Sequence, residues 1–176
     1  RPFFNVPDNK EPIVGIASDP EARNSVVRVY YKHPVVEREK KNLAYFRQNI
    51  VDELIANMLR ARLNELVQKP NPPFVVAFGN IGSMVRTVDA FTLTAIAKNG
   101  QTLEGLAALI RENERMKRFG FTASELDRAK ADYLSSKENL LKEKDKQKNQ
   151  TFVWECIDNF LTGEPMPSIE FDYKFS

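Results

Sequence analysis

The chain contains one cysteine and one histidine among its 176 residues. A single cysteine, Cys156, excludes an internal disulfide and any metal cluster that needs several thiolates, and its apolar neighbours predict a buried, unreactive thiol. A zinc hydrolase site needs several histidines or carboxylates around an open coordination position. His33 stands alone at the end of a predicted strand, and we interpret it as a surface residue. The residues therefore predict no catalytic group, no metal ligand set and no identifiable substrate-binding residue in this chain.

Long apolar runs and a strong net charge are also missing. No run approaches the roughly 20 apolar residues of a membrane-spanning helix, so no membrane is predicted as a partner. A net charge of +2 is too small to predict nucleic acid as a partner. The hydrophobic fraction of 42% and the charged fraction of 28% are typical of a globular domain with a real core. The chain begins at Arg1 without a methionine, which we interpret as a piece of a longer polypeptide of unknown compartment.

Four segments are predicted as strands after a Pro-rich lead-in over residues 1–12. Residues 13–18 form a short candidate, and the β-branched and aromatic residues 26–32 form a stronger one. Residues 74–78 are continuously apolar, which predicts a central strand buried on both faces, and residues 79–83 are predicted as a turn. Residues 87–98 are predicted as a long strand.

Helices are predicted over residues 37–67 and, as a pair, within residues 102–161. Gly120 ends the first helix of the pair, where a residue without Cβ adopts a left-handed conformation at little cost. Thr122 then caps the second helix, with Glu125 three residues further on to complete a capping box.

The end of the chain is predicted to change character. Apolar periodicity vanishes over residues 142–150 and returns afterwards, which predicts a helix end near residues 148–151 and a third helix that stops at Gly163. Residues 169–175 alternate between apolar and polar side chains, which predicts a strand. We therefore assign residues 1–168 to a single α/β domain and residues 169–176 to the start of a connector to a following domain.

The element order β-β-α-β-β-α-α-α, with short connections between neighbouring strands, defines the predicted fold class. It is α+β: a two-layer sandwich of a largely antiparallel four-stranded sheet with helices on one face. Two features invite a nucleic-acid interpretation, namely the G-x-x-G spacing of Gly79 and Gly82 and the alternating lysines of residues 142–148. A plain turn and a solvated helix end explain them better, because acidic residues interleave with the lysines and the clamp loop normally joins two helices.

Four stretches of the chain resemble, in order and spacing, the pitrilysin/insulinase-type zinc metallopeptidases. They are DPEARNSVVRVYYKHP, ARLNELVQKPNPPF, FTASELDRAKADYL and FLTGEPMPSIEFDY. The resemblance extends from about residue 4 to residue 173, and it is narrowest to the second, non-catalytic domain of the N-terminal half of these enzymes. The family's H-x-x-E-H motif is absent from this sequence, so no catalytic residue is carried over.

The resemblance implies a companion domain rather than an enzyme. It would pack beside a catalytic domain, of the same or a partner chain, that holds zinc, and it would help enclose peptide substrates. Residues 74–83 are candidates to face that enclosed space. Two other hypotheses stay open: a domain of a zinc-less scaffold or partner subunit of the same family, and an unrelated RNA- or protein-binding module. Exposed apolar surface on the isolated chain further predicts weak self-association.

Overall fold

The structure, a computed structural model, describes residue 4 and residues 6–176. The lead-in predicted for residues 1–12 therefore lies partly outside the described residues. Within them, the chain forms three strands, β1 to β3, five α-helices, α1 to α5, and two short 3₁₀ turns. Their bounds are β1 Ser25–Pro34, α1 Leu43–Val67, β2 Phe74–Val85, β3 Val88–Ala97, α2 Thr102–Phe119, α3 Ala123–Lys142, α4 Asn149–Thr162 and α5 Ile169–Phe175, with 3₁₀ turns at Arg38–Lys40 and Lys144–Lys146.

The described residues confirm the α+β class, but they hold a sheet of three strands rather than four. Its order is β1-β3-β2 and both pairings are antiparallel, so β3 lies in the centre and β1 and β2 form the edges. The expected strand over residues 13–18 is wrong, because this segment pairs with no strand in the described chain and its apolar side chains stay exposed. The prediction that residues 74–78 form a central strand is also wrong, since β2 is an edge strand.

The chain divides into two compact units. The first consists of Arg1–Val35 and Leu59–Gly120, and the second of Val36–Met58 and Phe121–Ser176. That residues 1–168 form one domain and residues 169–176 a connector stays a prediction.

The core of the first unit lies between the sheet and two helices, the end of α1 and α2. Leu59 and Leu63 of α1 and Leu109 of α2 are completely buried, as are Phe74 and Ala95 of the sheet. Burial of such side chains contributes about 1.5–3 kcal/mol each to folding. This apolar layer fixes which face of the sheet is covered.

Glycine allows the helices to approach the sheet closely. A Cβ at Gly79 would lie 2.7 Å from Cδ2 of Leu59 and 3.1 Å from Cδ2 of Leu93. A Cβ at Gly105 of α2 would lie 3.3 Å from that of Ala97. The predicted turn over residues 79–83 is thus wrong: β2 continues to Val85, and Gly79 serves helix packing rather than chain reversal.

The second unit shows the predicted capping of α3. The Thr122 hydroxyl accepts a hydrogen bond from the Glu125 backbone N–H, and the Glu125 carboxylate accepts one from the Thr122 N–H at 2.6 Å. Ala129 and Tyr133 are the residues that α3 buries. The structure therefore confirms the capping box, as well as the stop at Gly120, which has φ +62°.

The strand predicted over residues 169–175 is wrong, because α5 occupies this stretch. Ser168 caps the helix by accepting from the Phe171 N–H at 3.2 Å. In a helix, residues four apart share a face, and Phe171 and Phe175 stack with ring centroids 5.8 Å apart. Phe46 of α1 meets Phe175 edge to face at 5.1 Å. The apolar alternation thus also supplies an i, i+4 aromatic pair, and this pair finds a partner in α1.

Candidate docking surfaces

The most exposed apolar surface of the second unit belongs to α4. Six apolar side chains recur along this helix at spacings of one and four residues, which places them on one face. None of the 14 residues of α4, all of which the structure describes, is buried. Phe160 is 79% exposed, Val153 53% and Leu161 49%. Together the six line an open groove of about 540 Å³, and we call them the α4 face: Phe152, Val153, Cys156, Ile157, Phe160 and Leu161.

Polar contacts within the second unit hold the end of α4 in place. Gly163 ends the helix in the left-handed conformation, with φ 72° and ψ 24°. The next residue, Glu164, accepts from Lys41 Nζ at 2.7 Å and from the Tyr45 hydroxyl at 3.0 Å. Its backbone oxygen accepts from Asn159 Nδ2 at 2.7 Å. The C-terminal end of α4 is therefore fixed to the start of α1, although the α4 face itself is uncovered.

In the Lys41–Glu164 ion pair the lysine is shielded from water, whereas the glutamate side chain is 36% exposed. The Lys41 side chain is 5% exposed, and a buried ammonium without a carboxylate partner would be strongly unfavourable. Burial raises the pKa of Tyr45, so its phenol remains protonated and donates to Glu164. These groups are all engaged in holding the helix, which gives them a structural part and leaves no free acid or base among them.

A second uncovered surface lies on the first unit, on the sheet face opposite the helices. Alternation along β1 and β2 places every second side chain on this face. Its exposed apolar members are Val26 at 48%, Tyr30 at 45%, Val76 at 44% and Phe78 at 36%. Across β3 the register brings Val26 and Val76 to either side of Ile96. We call these four exposed residues the open sheet face.

The structure places the residues singled out in the sequence as follows. His33 is exposed near the end of β1, as predicted. Cys156 is exposed, so the prediction of a buried thiol is wrong: its apolar neighbours on α4 are themselves uncovered. Within residues 74–83, Val75, Val76 and Phe78 point outward, whereas Phe74 and Ala77 are buried.

One buried carboxylate was not predicted from the sequence. Glu112 on α2 is 6% exposed, although its polar neighbours in sequence are typical of an exposed helix face. Its Oε1 accepts from Arg115 Nη1 at 3.2 Å, and the adjacent Asn113 donates to the Tyr31 hydroxyl at 3.0 Å. No second carboxylate or histidine joins these side chains within the described chain, so they form no acid–base pair.

Metal and membrane signals are absent from the part of the chain that the structure describes. Within residue 4 and residues 6–176, no three or more His, Cys, Asp or Glu side chains are grouped so that they could hold a metal ion. None of the described helices is long and apolar enough to cross a membrane.

Comparisons with known proteins show which proteins this chain is similar to. A PQQL-like zinc protease of Arabidopsis thaliana is 25% identical over 171 residues, which is 97% of this chain and 15% of that protein. The crystal structure of the periplasmic protease PqqL from Escherichia coli shares the fold, with a TM-score of 0.77 and 18% identity over 88% of this chain. The first half of PqqL matches with a TM-score of 0.78, and the match covers 33% of that half. No family model matches.

The chain is thus similar in sequence to a PqqL-like zinc protease and in fold to PqqL, and this similarity confirms the resemblance drawn from the sequence motifs. The chain spans only 15% of the Arabidopsis relative and 17% of PqqL.

Proposed function

We propose that this chain is a non-catalytic domain of a zinc-dependent peptidase, where it lies beside the zinc-bearing domain and helps enclose peptides or unfolded polypeptides. The observation that carries the proposal is the alignment with a zinc protease over 97% of the chain and 15% of that protein. The chain has one histidine, whereas the H-x-x-E-H motif of such enzymes needs two. The zinc of the longer, parent polypeptide would therefore be held outside this chain.

The two uncovered apolar surfaces support the same proposal. An isolated globular domain rarely exposes contiguous apolar faces, and such faces normally mark an interface. In the parent polypeptide, the α4 face and the open sheet face would be covered by neighbouring domains. Their broad apolar outlines suit packing and enclosure, which is what a chamber that admits unfolded peptides requires.

The experiment that tests the proposal identifies what precedes residue 1 in the parent polypeptide. Peptide mass spectrometry would read that sequence, and elemental analysis would count zinc per purified polypeptide. We expect H-x-x-E-H, a distal glutamate and one bound zinc. A related upstream domain with a degraded motif and no zinc would instead indicate a scaffold or partner subunit. The absence of any related domain would overturn the proposal.

Self-association of the isolated chain provides a second test, centred on the α4 face. If this face is normally covered, the isolated chain should associate weakly and reversibly at high concentration, and Phe160→Asp should abolish the association by adding a charge. Phe119→Asp is the matched control, because Phe119 is 80% exposed and Phe160 79%, and Phe119 lies at the end of α2. Sedimentation velocity over a concentration series measures both. A monomeric wild-type chain at the highest concentration would contradict the expectation.

A further inference from the structure

Residues 13–18, which we call the 13–18 segment, have the composition of a strand but no partner in the described chain. Their backbone is outside any regular element. Ile13 is 81% exposed, Val14 80% and Ile16 93%. β-branched residues favour extended conformations that pack on both sides, and exposing three of them within four positions is unfavourable in water. This exposure calls for a partner.

Hydrogen bonds hold the chain on both sides of the 13–18 segment, one to β1 upstream and those of a local turn downstream. Upstream, Lys32 Nζ on β1 donates to the Pro7 carbonyl at 2.8 Å. Downstream, the Ala22 N–H donates to the Asp19 carbonyl at 3.0 Å and the Glu21 N–H to the Asp19 carboxylate at 2.8 Å. This turn leads directly into β1. The segment is thus a stretch of strand length that lies between a contact with β1 upstream and a local turn downstream.

The sheet of the first unit does not use the segment. Its central strand, β3, is already paired on both sides, and within the described residues neither edge strand pairs with the segment. An extended stretch with unpaired amides can instead complete a sheet edge elsewhere, where main-chain hydrogen bonds provide affinity and alternate side chains enter pockets. The side chains fit such a position: Val14 and Ile16 fall on one face and Ile13 on the other, so the strand is apolar on both faces.

We propose that the 13–18 segment is a donated strand, which adds to an exposed sheet edge of another domain of the same polypeptide. This inference rests on the proposed function, because it requires a parent polypeptide with further domains. The relatives provide the room for such a domain, since the chain covers 33% of the first half of PqqL and 17% of the whole protease. Strand donation would tie the domains together through backbone hydrogen bonds, in addition to any packing on the α4 face.

Hydrogen–deuterium exchange of the isolated chain and of the parent polypeptide tests the donated strand. In the isolated chain, we expect the amides of residues 13–18 to exchange at the rate of unstructured peptide. In the parent, alternate amides should be protected on the order of a hundredfold or more, because an added strand is paired along one side. Protection in the isolated chain that grows with concentration would overturn the proposal, since the partner would then be a second copy.

Paired proline substitutions sharpen the test. Val14→Pro and Gly15→Pro each remove one N–H, but only one of two successive N–H groups points toward the partner strand. One substitution should therefore abolish protection of the segment in the parent, while the other leaves most of it. Lys10→Pro, just outside the segment, is the control and should leave protection intact. Equal loss with both substitutions would indicate docking by side chains rather than strand pairing and would overturn the proposal.

The outcomes separate this proposal from the proposed function. If the parent contains the zinc-bearing domain but the amides of the 13–18 segment remain unprotected, the donated strand is wrong and the companion-domain function stands. If the parent contains no related domain, both are wrong.

Discussion

Helices α2 and α4 are both amphipathic, yet the apolar face of α2 is buried and that of α4 is exposed. α2 lies on β3 and β1 and buries five residues, among them Ala108 and Leu109. α4 buries none of its residues, and the side chain of Phe160 is 79% exposed. The comparison teaches that apolar periodicity identifies the face of a helix that will be covered. It does not reveal whether the covering surface belongs to the same chain.

The largest expected effect comes from truncating a buried leucine of α2, and it is compared with the truncation of an exposed phenylalanine of α4. Leu109 is completely buried, so Leu109→Ala should lower the free energy of unfolding by about 3 kcal/mol. Phe160→Ala should change it by less than about 0.5 kcal/mol, because an exposed side chain has little packing to lose. Urea denaturation of the isolated chain measures both. Comparable losses at the two positions would show that the α4 face is covered within this chain.

The second prediction compares two glycines, one under a helix and one in the 13–18 segment. Gly79→Ala places a Cβ 2.7 Å from Leu59 Cδ2, and we expect a loss of about 1–3 kcal/mol from overpacking. Gly15 has no heavy atom within 4 Å of such a Cβ, so Gly15→Ala should be neutral or slightly stabilising. Thermal unfolding of the two variants measures both changes in stability. Tolerance of Gly79→Ala would mean that α1 does not lie on β2 at this point in solution.

The third prediction concerns helix capping, which differs between α3 and α4. Thr122 caps α3 with its side chain, whereas Lys148 at the start of α4 makes no such bond. Thr122→Ala should therefore cost about 1 kcal/mol. Lys148→Ser should add a few tenths to about 1 kcal/mol by supplying the missing acceptor, and Thr122→Ser serves as the conservative control. Stability from urea midpoints checks both signs; a destabilised Lys148→Ser chain would refute the capping account for α4.

The sequence predicted best those elements whose determinants are local. The stop at Gly120, the capping box of Thr122 and Glu125, and the start of α4 depend on residues within a few positions of one another. The interior strand β3 was also predicted, because its long apolar and β-branched run is bounded by Asn99 and Gly100. Local chemistry is visible in a single sequence without knowledge of the fold.

The failures share a different cause, since each depended on a distant partner. Gly79 was interpreted as a turn because the approach of Leu59 is invisible in sequence. Residues 169–175 were predicted as a strand because Phe46, which receives their aromatic pair, lies far away in the chain. The prediction of a buried Cys156 thiol is wrong for the same reason, because its apolar neighbours on α4 are not buried in the described chain either. An apolar stripe on a helix indicates that a partner surface covers it, but the sequence does not identify that surface.

The smallest effect is expected at α5, where an ion pair between Glu170 and Lys144 contributes to holding the helix. Glu170 Oε1 accepts from Lys144 Nζ at 2.6 Å, and this bond lowers the pKa of Glu170 to about 2 from its ordinary 4.5. Because the folded pKa lies below the unfolded one, the stabilisation is complete above about pH 4.5 and is lost as the pH falls toward 2. Salt should reduce it, since both side chains are nearly half exposed.

Urea midpoints between pH 2 and 6 measure this contribution. Glu170→Gln should lower stability slightly at pH 6 and flatten its decline toward pH 2, so that the curves of variant and wild type converge in acid. Glu138→Gln is the matched control: its side chain is 49% exposed against 47% for Glu170, but its lysine, Lys142, is 3.9 Å away. If the control flattened the curve as much as Glu170→Gln, the decline would reflect the general charge of the chain rather than the short bond that holds α5.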